Sequence, residues 1–143
     1  MTFEEQFYAA RRRDAPIIIQ NAWNRKQISL EELQQFLPIA WSRSDAPQAI
    51  LSNSEWLELF TAAGHTHNGQ PAPAQAATLY RCAPPKYRDG WSWTASAFIA
   101  ATYPGNHPIW TVNAPARAIL ATRDNGLLTE HIVNTDGLDI REL

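Results

Sequence analysis

The sequence predicts an α+β protein, with a helical N-terminal half followed by a small mixed or antiparallel β core. Residues 1–64 hold four segments with apolar side chains at helical spacing. Residues 78–143 hold short runs rich in β-branched and aromatic residues, separated by turn dipeptides such as Asp89-Gly90. Helices followed by strands are typical of the α+β class.

Length and composition fit one globular domain. The chain has 143 residues, of which 45% are hydrophobic and 18% charged, so it resembles ordinary globular proteins and not disordered ones. We expect a single domain over residues 1–143, made of a helical part (1–64), a loop (65–77) and a strand-rich part (78–143). A separate helical domain joined through 65–77 is the alternative.

Charge and cysteine content exclude several classes of protein. The net charge of −2 gives no electrostatic footprint for nucleic acid or acidic membranes. Cys82 is the only cysteine, so no disulfide can form within the chain and no multi-cysteine zinc site exists. No apolar run reaches the ~20 residues that span a bilayer. We therefore expect a cytoplasmic protein without a membrane partner.

Capping and breaking signals set the predicted helix limits. Pairs with capping-box spacing predict three helix starts, at Thr2–Glu5, Ser29–Glu32 and Ser52–Glu55. Pro16 suits the first turn of a further helix, Pro38 is expected to stop the third, and Gly64 to cap the fourth. Arg11–Arg13 would lie in the last turn of the first helix, where they suit the helix dipole.

Six short segments are the predicted strands of the second half. Their residues are 78–82, 91–94, 109–112, 118–122, 127–133 and 138–140. A short helix, capped by Thr94 or Ser96, is expected between the second and third of them.

Three of these strands carry polar residues that stand out from their apolar neighbours. They are Arg81, the pair Ser92 and Thr94, and Glu130. Because side chains alternate along a strand, Ser92 and Thr94 should point to one face and Trp93 to the other. An arginine fork suits phosphate or ribose oxygens, and a carboxylate can stabilise positive charge that develops on a sugar carbon.

The order of these residues resembles the Arg–Ser–Glu class of ADP-ribosyltransferases. Leu79-Tyr80-Arg81 is similar to the first core strand of that class, Ser92-Trp93-Thr94 to its Ser/Thr-x-Ser/Thr strand, and Glu130 to its catalytic glutamate. The helical half followed by three motif strands is similar to short ADP-ribosyltransferase-like proteins of phages and actinobacteria. The resemblance covers roughly residues 78–136, under half of the chain.

This resemblance implies a fold, a co-substrate and roles for residues. It implies a β core of ADP-ribosyltransferase type and an NAD-dependent mono-ADP-ribosyltransferase that modifies an unknown protein or other acceptor. It makes Glu130 the catalytic residue, and Arg81, Ser92, Thr94 and Trp93 the cofactor-binding residues, with no metal. An NAD glycohydrolase and a non-catalytic protein-interaction module on the same fold are the alternatives.

One departure and one open choice accompany the resemblance. Members that modify arginine usually carry an acidic residue or glutamine two positions before the glutamate, and Leu128 stands there. Family members also place an aromatic ring over the nicotinamide. The sequence does not choose among four candidates for that ring: Tyr87, Trp93, Phe98 and Tyr103.

Other functional interpretations of the sequence motifs fit less well. Gly90 to Thr94 half-matches a hydrolase nucleophile elbow, but Thr94 replaces the closing glycine. No phosphate-loop pattern is present. His65 and His67 are interpreted as loop histidines, because no cysteine or carboxylate lies near them in the sequence. RNA 2′-phosphotransferases share the fold, but no histidine precedes Arg81 within its strand.

Overall fold

The computed structural model describes residues 1–143 and divides into two compact units, Met1–Pro71 and Ala72–Leu143. The first holds the long helices and the second holds most of the strands, so the predicted α+β class is confirmed. The division falls inside the predicted 65–77 loop. The expectation that residues 1–143 form a single domain stays a prediction.

Five helices form most of the first unit. They are α1 (Phe3–Ala9), α2 (Ala15–Asn24), α3 (Leu30–Arg43), α4 (Pro47–Ile50) and α5 (Asn53–Ala63), with a 3₁₀ turn at Arg12–Asp14. The short α4 was not predicted. No helix has the length and apolar character needed to cross a membrane.

The predicted helix starts are confirmed at atomic detail. Ser29 and Ser52 each form a reciprocal capping box, in which the hydroxyl accepts from the backbone of the glutamate three residues on. Thr2 accepts only one such bond, from the N–H of Glu5 at 3.1 Å. Gly64 follows α5 with a φ of +74°, a backbone angle that favours glycine.

Two predicted helix ends are wrong. Helix α1 ends at Ala9, before Arg11–Arg13, so these arginines do not act on its dipole. Helix α3 continues through Pro38 to Arg43. A proline inside a helix costs about 3 kcal/mol, and the burial of Ala40 and Trp41 on the part of the helix after Pro38 offsets this cost.

A hairpin occupies part of the predicted 65–77 loop, which corrects that prediction. Strands β1 (Thr66–His67) and β2 (Gln70–Pro71) pair antiparallel around Asn68-Gly69. Both turn residues have positive φ, +50° and +79°, as a type I′ turn requires.

Aromatic side chains dominate the core of the first unit. Trp41 and Trp56 meet edge to face at 4.9 Å, and the indole of Trp56 donates to the carbonyl of Pro47 at 2.9 Å. The guanidinium of Arg43 lies over the ring of Phe7 at 5.7 Å and over that of Tyr8 at 5.3 Å.

Six strands and one short helix form the second unit. They are β3 (Ala77–Cys82), β4 (Ser92–Thr94), α6 (Ala97–Ala101), β5 (Ile109–Ala114), β6 (Ile119–Asn125), β7 (Leu128–Val133) and β8 (Arg141–Glu142). The strand order is β6-β7-β4-β3-β5-β8, and every neighbouring pair is antiparallel. The first five predicted strands are confirmed with small shifts of their ends.

The last predicted strand is displaced along the chain. Residues 138–140 are not a strand, and β8 begins at Arg141. Leu138 and Ile140 instead pack against a core that includes Leu79, Trp93 and Val112. Apolar content in this segment therefore marks packing and not strand pairing.

The Ser52 cap gives a test of the helical unit. Ser52→Ala should lower its free energy of unfolding by about 1 kcal/mol, because the N–H of Glu55 loses its acceptor. Exposed Ser54 is the matched control, and Ser54→Ala should be neutral or slightly stabilising. Urea unfolding followed by far-ultraviolet circular dichroism measures both. Equal losses in the two variants would contradict the role of the cap.

Candidate functional site

The three predicted motif strands are immediate neighbours in the sheet. Strand β4, with Ser92 and Thr94, lies between β3, with Arg81, and β7, with Glu130. Tyr80 pairs with Thr94, and Thr94 pairs with Glu130. Chain folding therefore gathers residues that are up to 50 positions apart in the sequence.

Register divides the predicted residues between two faces. Directly paired residues share a face, so Tyr80, Thr94 and Glu130 form one row, and we call this side the Glu130 face. Arg81 is one residue out of phase and starts from the opposite face, level with Trp93 and paired with Trp110. The three motif residues thus do not all project from one side of the sheet.

The Arg81 side chain is held by backbone carbonyls. Its Nε donates to the carbonyl of Tyr87 at 3.1 Å, and its Nη1 donates to that of Ser92 at 3.0 Å. Gly90 packs against the guanidinium so closely that a Cβ there would overlap it. Burial lowers the pKa of Arg81, and the charges of Asp89 and Glu130 are among those that act in the opposite direction.

Further buried side chains hold the same segment, which comprises the connection after β3 and the first residue of β4, and which we call the 83–92 loop. The indoles of Trp110 and Trp93 donate to the carbonyls of Ala83 at 2.9 Å and Gly90 at 2.7 Å. The hydroxyl of Thr135 donates to the carbonyl of Asp89 at 2.6 Å. Together with the two bonds from Arg81, five carbonyls of this loop accept from side chains that lie outside it, so its backbone path is fixed.

Trp93 lies in the core of the second unit. Only 2% of its surface is exposed, and its one polar atom is already bonded to Gly90. Its role as a cofactor-binding residue stays a prediction that this burial does not favour.

The two hydroxyl residues of β4 differ in their surroundings. Thr94 faces Glu130 directly, is buried, and its Oγ1 accepts from the backbone N–H of Ser96 at 3.3 Å. Ser96 is the N-cap of α6, through a bond from the N–H of Ile99. Ser92 is paired with Ile132, two residues from the Thr94–Glu130 pair, and its carbonyl is an acceptor of Arg81. Thr94 is therefore the hydroxyl closest to Glu130 in register.

Tyr103, just after α6, belongs to the same electrostatic cluster. Burial raises the pKa of Tyr103, and the Glu130 carboxylate raises it further, so the phenol stays protonated at neutral pH. Tyr103 is also one of the four aromatic candidates for the nicotinamide, and Glu130 is among the groups that shift its pKa. Half of its surface remains exposed.

Arg123 is a site residue that the motif comparison did not identify. It pairs with Glu130 from the other side, on β6, so Glu130 lies between Thr94 and Arg123 in one row. The length of the hairpin turn between β6 and β7 could have identified this pairing from the sequence. A two-residue turn at Gly126-Leu127 pairs Asn125 with Leu128, and counting back pairs 123 with 130.

No group of three or more His, Cys, Asp or Glu side chains is arranged to hold a metal ion. The residues paired with Glu130 in the sheet are Arg123 and Thr94, and the carboxylate raises the pKa of the Tyr103 phenol, so the neighbourhood supplies a cation, a hydroxyl and a protonated phenol. This donor set suits a ligand rich in hydroxyl and phosphate oxygens.

Contact between Gly90 and Arg81 gives a test of the fixed loop. Gly90→Ala should destabilise the second unit by about 1–3 kcal/mol, because the added methyl group overlaps the guanidinium. In an Arg81→Met background the same change should cost less, since the overlapped group is gone. A double-mutant cycle by chemical unfolding measures the coupling. Additive effects would show that the two residues do not interact.

Comparisons with known proteins add no assignment to this geometry. No family model matches the chain, and neither the curated proteins nor the solved structures contain a match.

Proposed function

We propose that the chain is an NAD-dependent mono-ADP-ribosyltransferase that uses Glu130 as its catalytic carboxylate. The observation that carries the proposal is the adjacency of β3, β4 and β7, with Thr94 directly opposite Glu130. The order of these strands along the chain does not by itself require them to be neighbours in the sheet. The ADP-ribosyltransferase type of the β core is part of the same proposal.

Glu130 has the chemistry that the reaction needs. Cleavage of the bond between nicotinamide and ribose leaves positive charge on the ribose carbon, and a fixed carboxylate beside that carbon stabilises it. Glu130 stands on a central strand with paired neighbours on both sides, so its backbone position is set by two ladders. A carboxylate fixed in this way needs little reorganisation as the charge develops.

Neighbouring side chains supply the remaining contacts. Arg123 offers a guanidinium fork for phosphate oxygens next to the carboxylate. Tyr103 offers an aromatic surface and a neutral O–H donor. Thr94 offers a buried hydroxyl on the face of Glu130. These three groups match the ring, hydroxyl and phosphate parts of a dinucleotide.

Arg81 acts in this proposal mainly as a positioning residue. Its bonds to Tyr87 and Ser92 fix the 83–92 loop against β4, the strand that also carries Thr94. The resemblance to the Arg–Ser–Glu class implies that Arg81 binds the cofactor directly. The bonds to two carbonyls favour the positioning role, and its charge still contributes to the potential around Glu130.

The proposed transferase and the alternative NAD glycohydrolase differ only in the molecule that accepts the ADP-ribose, which is an acceptor group in the first case and water in the second. Leu128 lies on the Glu130 face, two residues before the glutamate, and offers no polar group to orient a guanidinium. An arginine side chain is therefore a poor acceptor here. Transfer to another acceptor and transfer to water use the same carboxylate.

Glu130→Gln should reduce nicotinamide release from NAD by at least about a hundredfold, because the neutral amide cannot stabilise the positive charge. Purified protein is assayed alone and with a cell lysate, and release that requires lysate indicates transfer to an acceptor. Glu142→Gln, on exposed β8, is the matched control and should keep full turnover. Thermal unfolding of both variants should match the wild type. Equal turnover in the wild type and both variants would show that Glu130 is not the catalytic carboxylate.

Arg123→Gln should raise the KM for NAD about tenfold, because one charge-assisted contact to phosphate is lost. Its kcat should change little, since the Glu130 carboxylate remains. Arg25→Gln in the helical unit is the control, and steady-state kinetics measures all three proteins. An unchanged KM would show that Arg123 does not contact the nucleotide.

A further inference from the structure

An open groove lies at the end of the second unit's sheet that is opposite β6 and β7. It encloses about 610 Å³ and is lined by the start of β3, the end of β5, Arg117 and the Gly137–Asp139 segment. An adjoining hollow of about 210 Å³ shares Asn113 and Asp139 with it. Volumes of this size suit a ligand of several residues or a small molecule.

Strand β5 is only partly covered beside this groove. Its inner edge pairs with β3 over all six residues. Its outer edge pairs with β8 only at Trp110 and Thr111, and β8 is the outermost strand of the sheet. The outer edge of Val112–Ala114 therefore faces the groove without a neighbouring strand.

Backbone direction makes Asn113 the key residue of this edge. The carbonyl of Ile109 accepts from the N–H of Leu143 at 2.8 Å, so the polar groups of Ile109 point outward. Because this direction alternates along a strand, the N–H and C=O of Thr111 and Asn113 also point outward. Thr111 has its partner in Arg141, whereas Asn113 lies beyond the end of β8.

Side chains around the edge set the charge that a ligand meets. Asp139 is already bound by Arg141, with an Nη2 to Oδ2 distance of 2.7 Å. Arg117 is exposed on the 3₁₀ turn that follows β5, and it is the cation that the groove presents to a ligand. The hydroxyl of Thr78 donates to the side chain of Asn113 at 2.8 Å, which orients that amide beside the open edge.

We propose that this groove binds an extended polypeptide segment that carries an acidic side chain. The segment adds to the sheet beyond Thr111 through the outward N–H and C=O of Asn113. Its acidic side chain pairs with Arg117, and its neighbouring side chains rest on the apolar lining of Ala77 and Leu138. The proposal is independent of NAD chemistry, because it uses none of the residues around Glu130.

A peptide selection tests the proposal without a known partner. A library of random dodecapeptides displayed on phage is selected on the full-length protein. We expect enrichment of sequences with an aspartate or glutamate among alternating β-branched residues. The best synthetic peptide is then titrated by fluorescence anisotropy. Its binding should shift the amide resonances of Thr111 and Asn113 in nuclear magnetic resonance spectra.

Two variants separate main-chain from side-chain recognition. Asn113→Pro removes the outward N–H and leaves the inner ladder with β3, because the lost donor points away from β3. Arg117→Glu keeps the edge and reverses the charge. Each should weaken the selected peptide at least about tenfold. Arg11→Glu, an exposed arginine of the helical unit, is the control and should bind as the wild type does.

Three outcomes would overturn the proposal. No enrichment over the library background would show that the edge does not recruit peptides. Equal binding by wild type and Arg117→Glu would show that an acidic side chain of the peptide does not pair with Arg117. A dimer in light scattering that Asn113→Pro dissociates would assign the edge to a second copy of this chain. Thermal unfolding of both variants at the wild-type temperature would show that a loss of binding is not a loss of folding.

Discussion

The second unit depends on a partly buried arginine, Arg81, whose guanidinium donates hydrogen bonds to backbone carbonyls of the 83–92 loop. This loop runs from the end of β3 to the first residue of β4, and five of its carbonyls accept hydrogen bonds from side chains outside it. Arg81 serves two of them, and Trp93, Trp110 and Thr135 serve three others. Gly90 lets the guanidinium lie against the main chain. Without these donors, β4 would lose the support that holds it between β3 and β7.

The fixed loop explains how a strand as short as β4 can be held in place at the centre of the proposed site. Strand β4 has only three residues and pairs with β3 at a single position, Tyr80 to Thr94. Three residues of ladder would leave it mobile, and the fixed loop supplies the missing restraint. Glu130 on β7 then faces a defined neighbour in Thr94. In the proposed reaction, rigid surroundings of this kind would help the Glu130 carboxylate to stabilise developing positive charge.

Local signals in the sequence were enough for the helix starts and most strands. The Ser29 and Ser52 boxes depend on residues three apart, so they are visible in one dimension. Pro38 inside α3 and the displaced β8 depend on burial against distant residues, which no local pattern encodes. The same limit applies to the site. Residue type indicated Glu130, whereas the face of Arg81 and the place of Arg123 beside Glu130 follow from the register between strands. The electrostatic effect of Glu130 on Tyr103 depends on the tertiary fold.

Distances across the sheet link the two proposals. Thr111 and Glu130 lie in one row on one face, through Tyr80 and Thr94, so three strand spacings separate them. At about 4.8 Å per spacing, this separation is about 14 Å, and a peptide beyond β5 lies one spacing further away. No side chain spans that distance. A polypeptide held at Asn113 would therefore present to Glu130 a residue several positions away from the docked segment. On the proposed function, docking would then select the acceptor, and the groups around Glu130 would select the residue that is modified.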